Sequence, residues 1–81
     1  MELRQLRYFL ALAEHRNFSR AAQVLGITQQ ALSYSIAQLE KSLQARLFDR
    51  TQNYTEMTEV GHALQRRAHL IRGHADLLPS A

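Results

Sequence analysis

The chain has 81 residues, of which 46% are apolar, with ten Lys and Arg against seven Asp and Glu and no cysteine. This is enough for one small globular domain, the lack of cysteine excludes a disulfide framework and a thiolate metal site, and no apolar run in the sequence reaches membrane-spanning length. The net charge of +3 is uneven: through Tyr54 there are seven basic and four acidic residues, and from Thr55 onward three of each, so the excess precedes residue 55. That is a modest electrostatic footprint for phosphate binding.

In chain order, residues 1–16 read as a first helix, with Leu3, Leu6, Leu10 and Ala13 on one face and Phe9 beside them. Arg4 and Arg7 flank that face, and on the residues alone they are solvated charge. Asn17 or Ser19 can cap a second, short helix through residues 20–25, whose buried side is Phe18, Ala21, Ala22 and Leu25. Its two alanines permit a neighbouring helix to come close. Gly26 suits a left-handed C-terminal residue, and only Gly26 and Ile27 separate Leu25 from Thr28, a capping hydroxyl. From there a longer helix runs over about 28–43. Leu32, Ile36, Leu39 and Leu43 form its apolar stripe, and Ile27 with Leu32 takes the positions of a hydrophobic staple. A short helix, a tight turn and a longer helix make a helix-turn-helix.

The other face of that longer helix is unusual. Where a surface helix commonly mixes Glu and Lys, this one shows Gln29, Gln30, Ser33, Tyr34, Ser35 and Gln38. Such uncharged donors and acceptors suit base edges in a DNA groove. The plainer alternative is a polar surface helix.

Beyond it, Leu47-Phe48 and residues 54–57 read as two short strands around a polar turn near Gln52 and Asn53, a small hairpin or wing. Arg46 and Arg50 bracket the first strand, and Phe48 is expected to pack on the helices. Thr58 can cap a last helix reaching to about residue 78, weakened slightly by Gly61 in its first turn. Met57, Leu64, Ile71 and Leu78 recur every seven residues, with Val60, Ala68 and Ala75 beside them. This seam is about 20 residues or roughly 30 Å long, more than the preceding elements are expected to cover. A dimer-forming or linker helix is the expectation, and an amphipathic helix folded on its own domain the alternative. His62, His69 and His74 do not share a metal-ligating spacing. Hydrolase and nucleotide-binding signatures are missing. Neither an enzyme nor a cofactor or metal site is expected.

The residues resemble the amino-terminal DNA-binding domain of LysR-type transcriptional regulators. The resemblance rests on Glu2-Leu3-Arg4-Gln5-Leu6-Arg7-Tyr8-Phe9, Asn17-Phe18-Ser19-Arg20-Ala21-Ala22, the run from Gln29 through Ala31-Leu32-Ser33, Ile36 and Leu39-Glu40 to Leu43, then Leu47-Phe48 with Arg50, and Thr58 with Gly61. It implies a mainly α fold: a winged helix-turn-helix of three helices plus a small β-hairpin over residues 1–58, followed by a long linker and dimerisation helix over 59–81. The family's effector-binding domain is absent from these residues. A bacterial cytoplasmic protein is implied, acting on double-stranded DNA as a homodimer, with tetramers open to a full-length form and no membrane partner.

Carried over residue by residue, the resemblance makes Gln29, Gln30, Ser33 and Tyr34 the base readers. Arg4, Arg20, Thr28, Arg50 and Asn53 become backbone contacts, with charge added by Lys41 and Arg46. Leu64, Ile71 and Leu78 become dimer contacts. Four positions depart from the family pattern: Gln30 replaces a common proline or serine, Tyr34 an arginine, Asn53 a basic wing residue, and Gln44 a glycine after the long helix. A tyrosine cannot make the forked contact of an arginine to guanine. The lost charge predicts weaker DNA affinity than in a more basic relative. The alternative is a winged-helix module that dimerises or binds protein without binding DNA.

Overall fold

The computed structural model describes residues 1–50 and 55–76, with side chains as far as Leu70. Its order is α1 (Leu3–His15), α2 (Phe18–Leu25), α3 (Gln29–Leu43), β1 (Phe48–Arg50), β2 (Thr55–Met57) and α4 (Glu59–Asp76). Four helices and one antiparallel hairpin make the expected winged helix-turn-helix.

The first three helices begin at local capping contacts, and α2 and α3 also end at them. Ahead of α1, the Glu2 amide donates to Gln5 Oε1 at 3.1 Å. Asn17, not Ser19, caps α2: its Oδ1 accepts from the Arg20 amide at 2.8 Å. Thr28 Oγ1 accepts from the Ala31 amide at 3.0 Å at the head of α3. Gly26 ends α2 at φ 72°, with the Ile27 amide reaching back to the Ala22 carbonyl at 3.0 Å and the Gly26 amide to Gln23 at 3.2 Å. This paired closure needs a left-handed residue. The same closure ends α3, where Ala45 donates to Glu40 and Gln44 to Lys41. Here the left-handed residue is Gln44, at φ 54°. The helix therefore ends at Leu43 even without the glycine, with a backbone conformation that a side chain disfavours.

One core joins all the helices. It contains Leu6, Phe9, Leu10, Leu12 and Ala13 of α1, Phe18, Ala21 and Ala22 of α2, Leu32, Ile36 and Leu39 of α3, then Leu47, Phe48 and Ala68. Two expectations change. Leu3 is 76% exposed rather than part of the core, because it is the first residue of α1 and lies one turn before the packed stretch begins. Leu12, one position off the expected stripe, is fully buried. Its face is covered because α1 contacts α2, α3 and α4 and so buries more than one stripe.

The strands pair Phe48 with Met57, Asp49 with Glu56 and Arg50 with Thr55. Leu47 thus precedes the strand and inserts into the core. Phe48 packs against Phe9 with ring centroids 5.5 Å apart, as its size and position suggested. The link from α3 to the wing is held by Glu40, whose Oε2 accepts from the amides of Leu47 at 2.7 Å and Phe48 at 3.3 Å. At the far side of the wing, Thr58 donates its amide to the Leu47 carbonyl at 3.0 Å. Its hydroxyl donates to the Arg46 carbonyl at 2.6 Å and accepts from the Gly61 amide at 3.0 Å. Gly61 is required here for closeness: a Cβ at this position would overlap the Leu47 carbonyl oxygen.

The last helix differs from the free seam that its heptads suggested. Ala68 is fully buried and Leu64 packs half-buried on the same core, and α4 is in contact with α1 and β2. Among its described side chains, the large apolar residues left exposed are Val60 and Leu70, at 45% and 74%. Residues 77–81 and the side chain of Ile71 lie outside the described residues, so the expected contact at Leu78 does too.

Candidate nucleic-acid interface

The interface is built outward from α3. Residues 32, 36 and 39 take its inner face into the core at 1% exposure or less. Helical periodicity then turns the positions between them to solvent. Gln29, Gln30 and Tyr34 are exposed, Tyr34 at 67%, while Ser33 is half-buried. All four sequence-derived reader positions thus lie in the first two turns of one helix.

The start of α3 is held by two side-chain hydrogen bonds. Gln29 is its first residue, and its Oε1 accepts a hydrogen bond from Ser19 Oγ at 3.0 Å. The serine belongs to α2, so the bond crosses the helix-turn-helix. Thr28 is committed through its hydroxyl to the cap. The amides of the first turn are the positive end of the helix.

The arginines are distributed around this surface. Arg4 lines an open cleft of about 450 Å³ between the start of α1 and the outer face of α3, together with Gln5, Tyr8, Tyr34, Ser35 and Gln38. The structure therefore brings an α1 cation beside Tyr34 of α3. Arg20 is exposed on α2. Arg50, at the end of β1, sits over the Phe18 ring, with its guanidinium carbon 4.2 Å from the ring centroid. Stacking on an aromatic face leaves the edge of the guanidinium, where the N–H donors are, free to point outward. Arg46 is diverted: its Nε sits 3.8 Å from Glu40 Oε2, and its Nη2 donates to the Phe48 carbonyl at 3.4 Å. Its charge is partly answered within the protein. Asn53 lies outside the described residues.

Three contributors were not visible in the sequence as functional residues. Ser19 read as a possible cap, Phe18 as core and Glu40 as part of a family signature. Ser19 and Gln29 are ten positions apart, and Phe18 and Arg50 thirty-two, so no local pattern pairs them. Only the packing of α2 against α3 and the wing does.

No group of three or more His, Asp or Glu that could hold a metal occurs among the described residues, and no described helix is long and apolar enough to cross a membrane. A buried helix-turn-helix scaffold, an exposed polar second helix and a two-stranded wing define a winged helix-turn-helix protein. Residues 3–62 match the sequence model of the bacterial regulatory helix-turn-helix proteins of the lysR family. The regulator IlvR of Caulobacter vibrioides is 54% identical over 61 residues, which is 75% of this chain and 21% of IlvR. BudR of Klebsiella aerogenes is 46% identical over 76 residues, covering 94% of this chain and 53% of BudR. Among solved structures, the BenM DNA-binding domain in complex with catB site 1 DNA superposes with a TM-score of 0.89 at 38% identity, over 94% of this chain and 84% of that one. The corresponding CbnR complex gives 0.88 at 37%, over 94% and 87%. The chain belongs to the LysR family of helix-turn-helix transcriptional regulators. It spans between about a fifth and about half the length of these two curated relatives.

Proposed function

We propose that this chain binds double-stranded DNA sequence-specifically, with α3 in the major groove and the wing beside it, as the DNA-reading part of a bacterial cytoplasmic transcription regulator. The observation that carries the reading is the division of α3: an inner face buried in the core and an outer face of exposed Gln29, Gln30 and Tyr34 with half-buried Ser33. An uncharged polar face offers donors and acceptors to base edges, and Arg4, Arg20 and Arg50 around it supply phosphate contacts. The similarity to BenM and CbnR domains in DNA complexes supports the same use of the fold. Residues 1–58 act as the reading unit and 59–81 as the joining helix.

Two copies joined through α4 would read half-sites separated by one or more helical turns of about 34 Å each. Leu64, Ile71 and Leu78 are the proposed dimer contacts. Leu64 offers only its outward edge, because its other side is used within the domain. No catalysis, cofactor or metal enters this function.

The test is selection from a genomic fragment pool across a salt series, followed by sequencing. A partly palindromic motif, with log affinity falling linearly against log salt, is expected. Absence of any attraction to duplex DNA at low salt would overturn the proposal in favour of a protein-interaction module.

A further inference from the structure

We infer that Ser19 is a positioning residue for base reading: its hydroxyl holds the Gln29 side-chain amide ready for an adenine edge. This rests on the reading of Gln29 as a base contact proposed above.

The hydroxyl has no other task in the described structure. Ser19 is the second residue of α2 and has no capping role, because Asn17 caps the helix by accepting from the Arg20 amide through Oδ1. Ser19 is exposed, and its hydroxyl donates to Gln29 Oε1 at 3.0 Å. A glutamine side chain has three rotors, and fixing it on binding costs affinity. A bond to the neighbouring helix fixes much of that freedom beforehand. It also reaches across the turn, so the position of the amide is set by α2 and not by α3 alone.

What the bond leaves free indicates the base. A side-chain amide has two N–H donors and a carbonyl oxygen with two lone pairs. Ser19 uses one lone pair, so both donors and the second lone pair remain. Adenine presents one acceptor, N7, and one donor, the N6 amino group, in the major groove. The held amide can satisfy both: Nε2 donates to N7, and Oε1 accepts from N6 while keeping Ser19. In the free protein this exposed bond competes with water. Against DNA the water is excluded, and the three-group chain Ser19–Gln29–adenine strengthens each of its links.

The test uses the 81-residue chain with a random-sequence duplex library, and then with the duplex that the unaltered protein selects and its single base-pair substitutions. Gln29→Ala is expected to remove a preference for A·T at one base pair of each half-site, about fivefold to a hundredfold in affinity ratio. Ser19→Ala is expected to reduce the same preference, at the same base pair, by about twofold to tenfold, the range for releasing one rotamer-rich side chain. Ser19→Thr, which keeps the hydroxyl, is expected to restore it. Alanine is tolerated in an exposed helix, and a thermal midpoint matching the unaltered protein checks that the fold is intact. If Ser19→Ala weakens binding to all duplexes equally, Ser19 is a backbone contact and the inference is overturned. It is also overturned if Gln29→Ala abolishes the preference and Ser19→Ala leaves it unchanged. If Gln29→Ala leaves every base preference unchanged, the reading of Gln29 fails first and the role of Ser19 falls with it.

Discussion

The two faces of α3 are made from the same fifteen residues but answer to different demands. On the inner face Leu32, Ile36 and Leu39 are at 1% exposure or less, packed among α1, α2 and the wing. On the outer face Gln29, Gln30 and Tyr34 touch little of the protein, and the contact that orders Gln29 comes from Ser19. The inner face fixes where the helix lies. The outer face is then free to vary in chemistry without disturbing the core, so position and recognition can be altered separately.

The comparison breaks most visibly on the inner face. Leu39→Ala should destabilise the fold by about 2–5 kcal/mol, the range for emptying a buried leucine site, and should reduce binding to every duplex in proportion to the unfolded fraction. Urea denaturation together with binding to random and selected DNA would check this; a stable variant would remove Leu39 from the core account. On the outer face, Gln29→Ala should do the reverse, weakening selected DNA by about 1–3 kcal/mol with the urea midpoint and random-sequence binding nearly unchanged. A shifted midpoint would mean that the two faces are not independent.

Smaller effects sharpen the same division at its edges. Arg50→Ala should flatten the slope of log affinity against log salt by about 0.9 if the guanidinium makes one phosphate contact. An unchanged slope would leave Arg50 with only its stacking on Phe18. At the end of α3, Gln44→Gly should raise stability by up to about 1 kcal/mol, because glycine takes the left-handed conformation without the steric cost of a Cβ, offset in part by its greater freedom when unfolded. Thermal unfolding would show the gain, and a loss would point to an unrecognised contact of the glutamine.

Much of this was legible in the sequence because it depends on near neighbours. The cap at Thr28, the stop at Gly26 and the stripe from Leu32 to Leu39 are written within four residues of where they act. Phe48 could be placed in the core from its size and position. What the sequence left ambiguous depends on how elements cross. Leu3 continues the apolar spacing of α1, yet lies beyond the ground that the other helices cover. The heptads of α4 looked unpartnered, yet Ala68 is buried in the domain's own core and Leu64 packs against it. Gly61 read as a mild flaw in a helix, and its reason emerged only when the Leu47 carbonyl was found against it. The candidate site divides in the same way: the outward placement of the proposed reader positions followed from helical spacing, while the partners Ser19 and Phe18 required the fold.

The junction around Leu47 carries a further consequence. Its amide is held by the Glu40 carboxylate and its carbonyl by the Thr58 amide, although neither Leu47 nor Thr58 belongs to a helix or strand. Amide protection follows the opening of the structure that holds each hydrogen bond, not the regularity of the backbone around it. In deuterated solvent these two loop amides should therefore exchange on the timescale of the interior of α1, long after the exposed first turn of α3. The slowest-exchanging hydrogens would outline a belt in which the recognition helix, wing and last helix are tied at one point and open together.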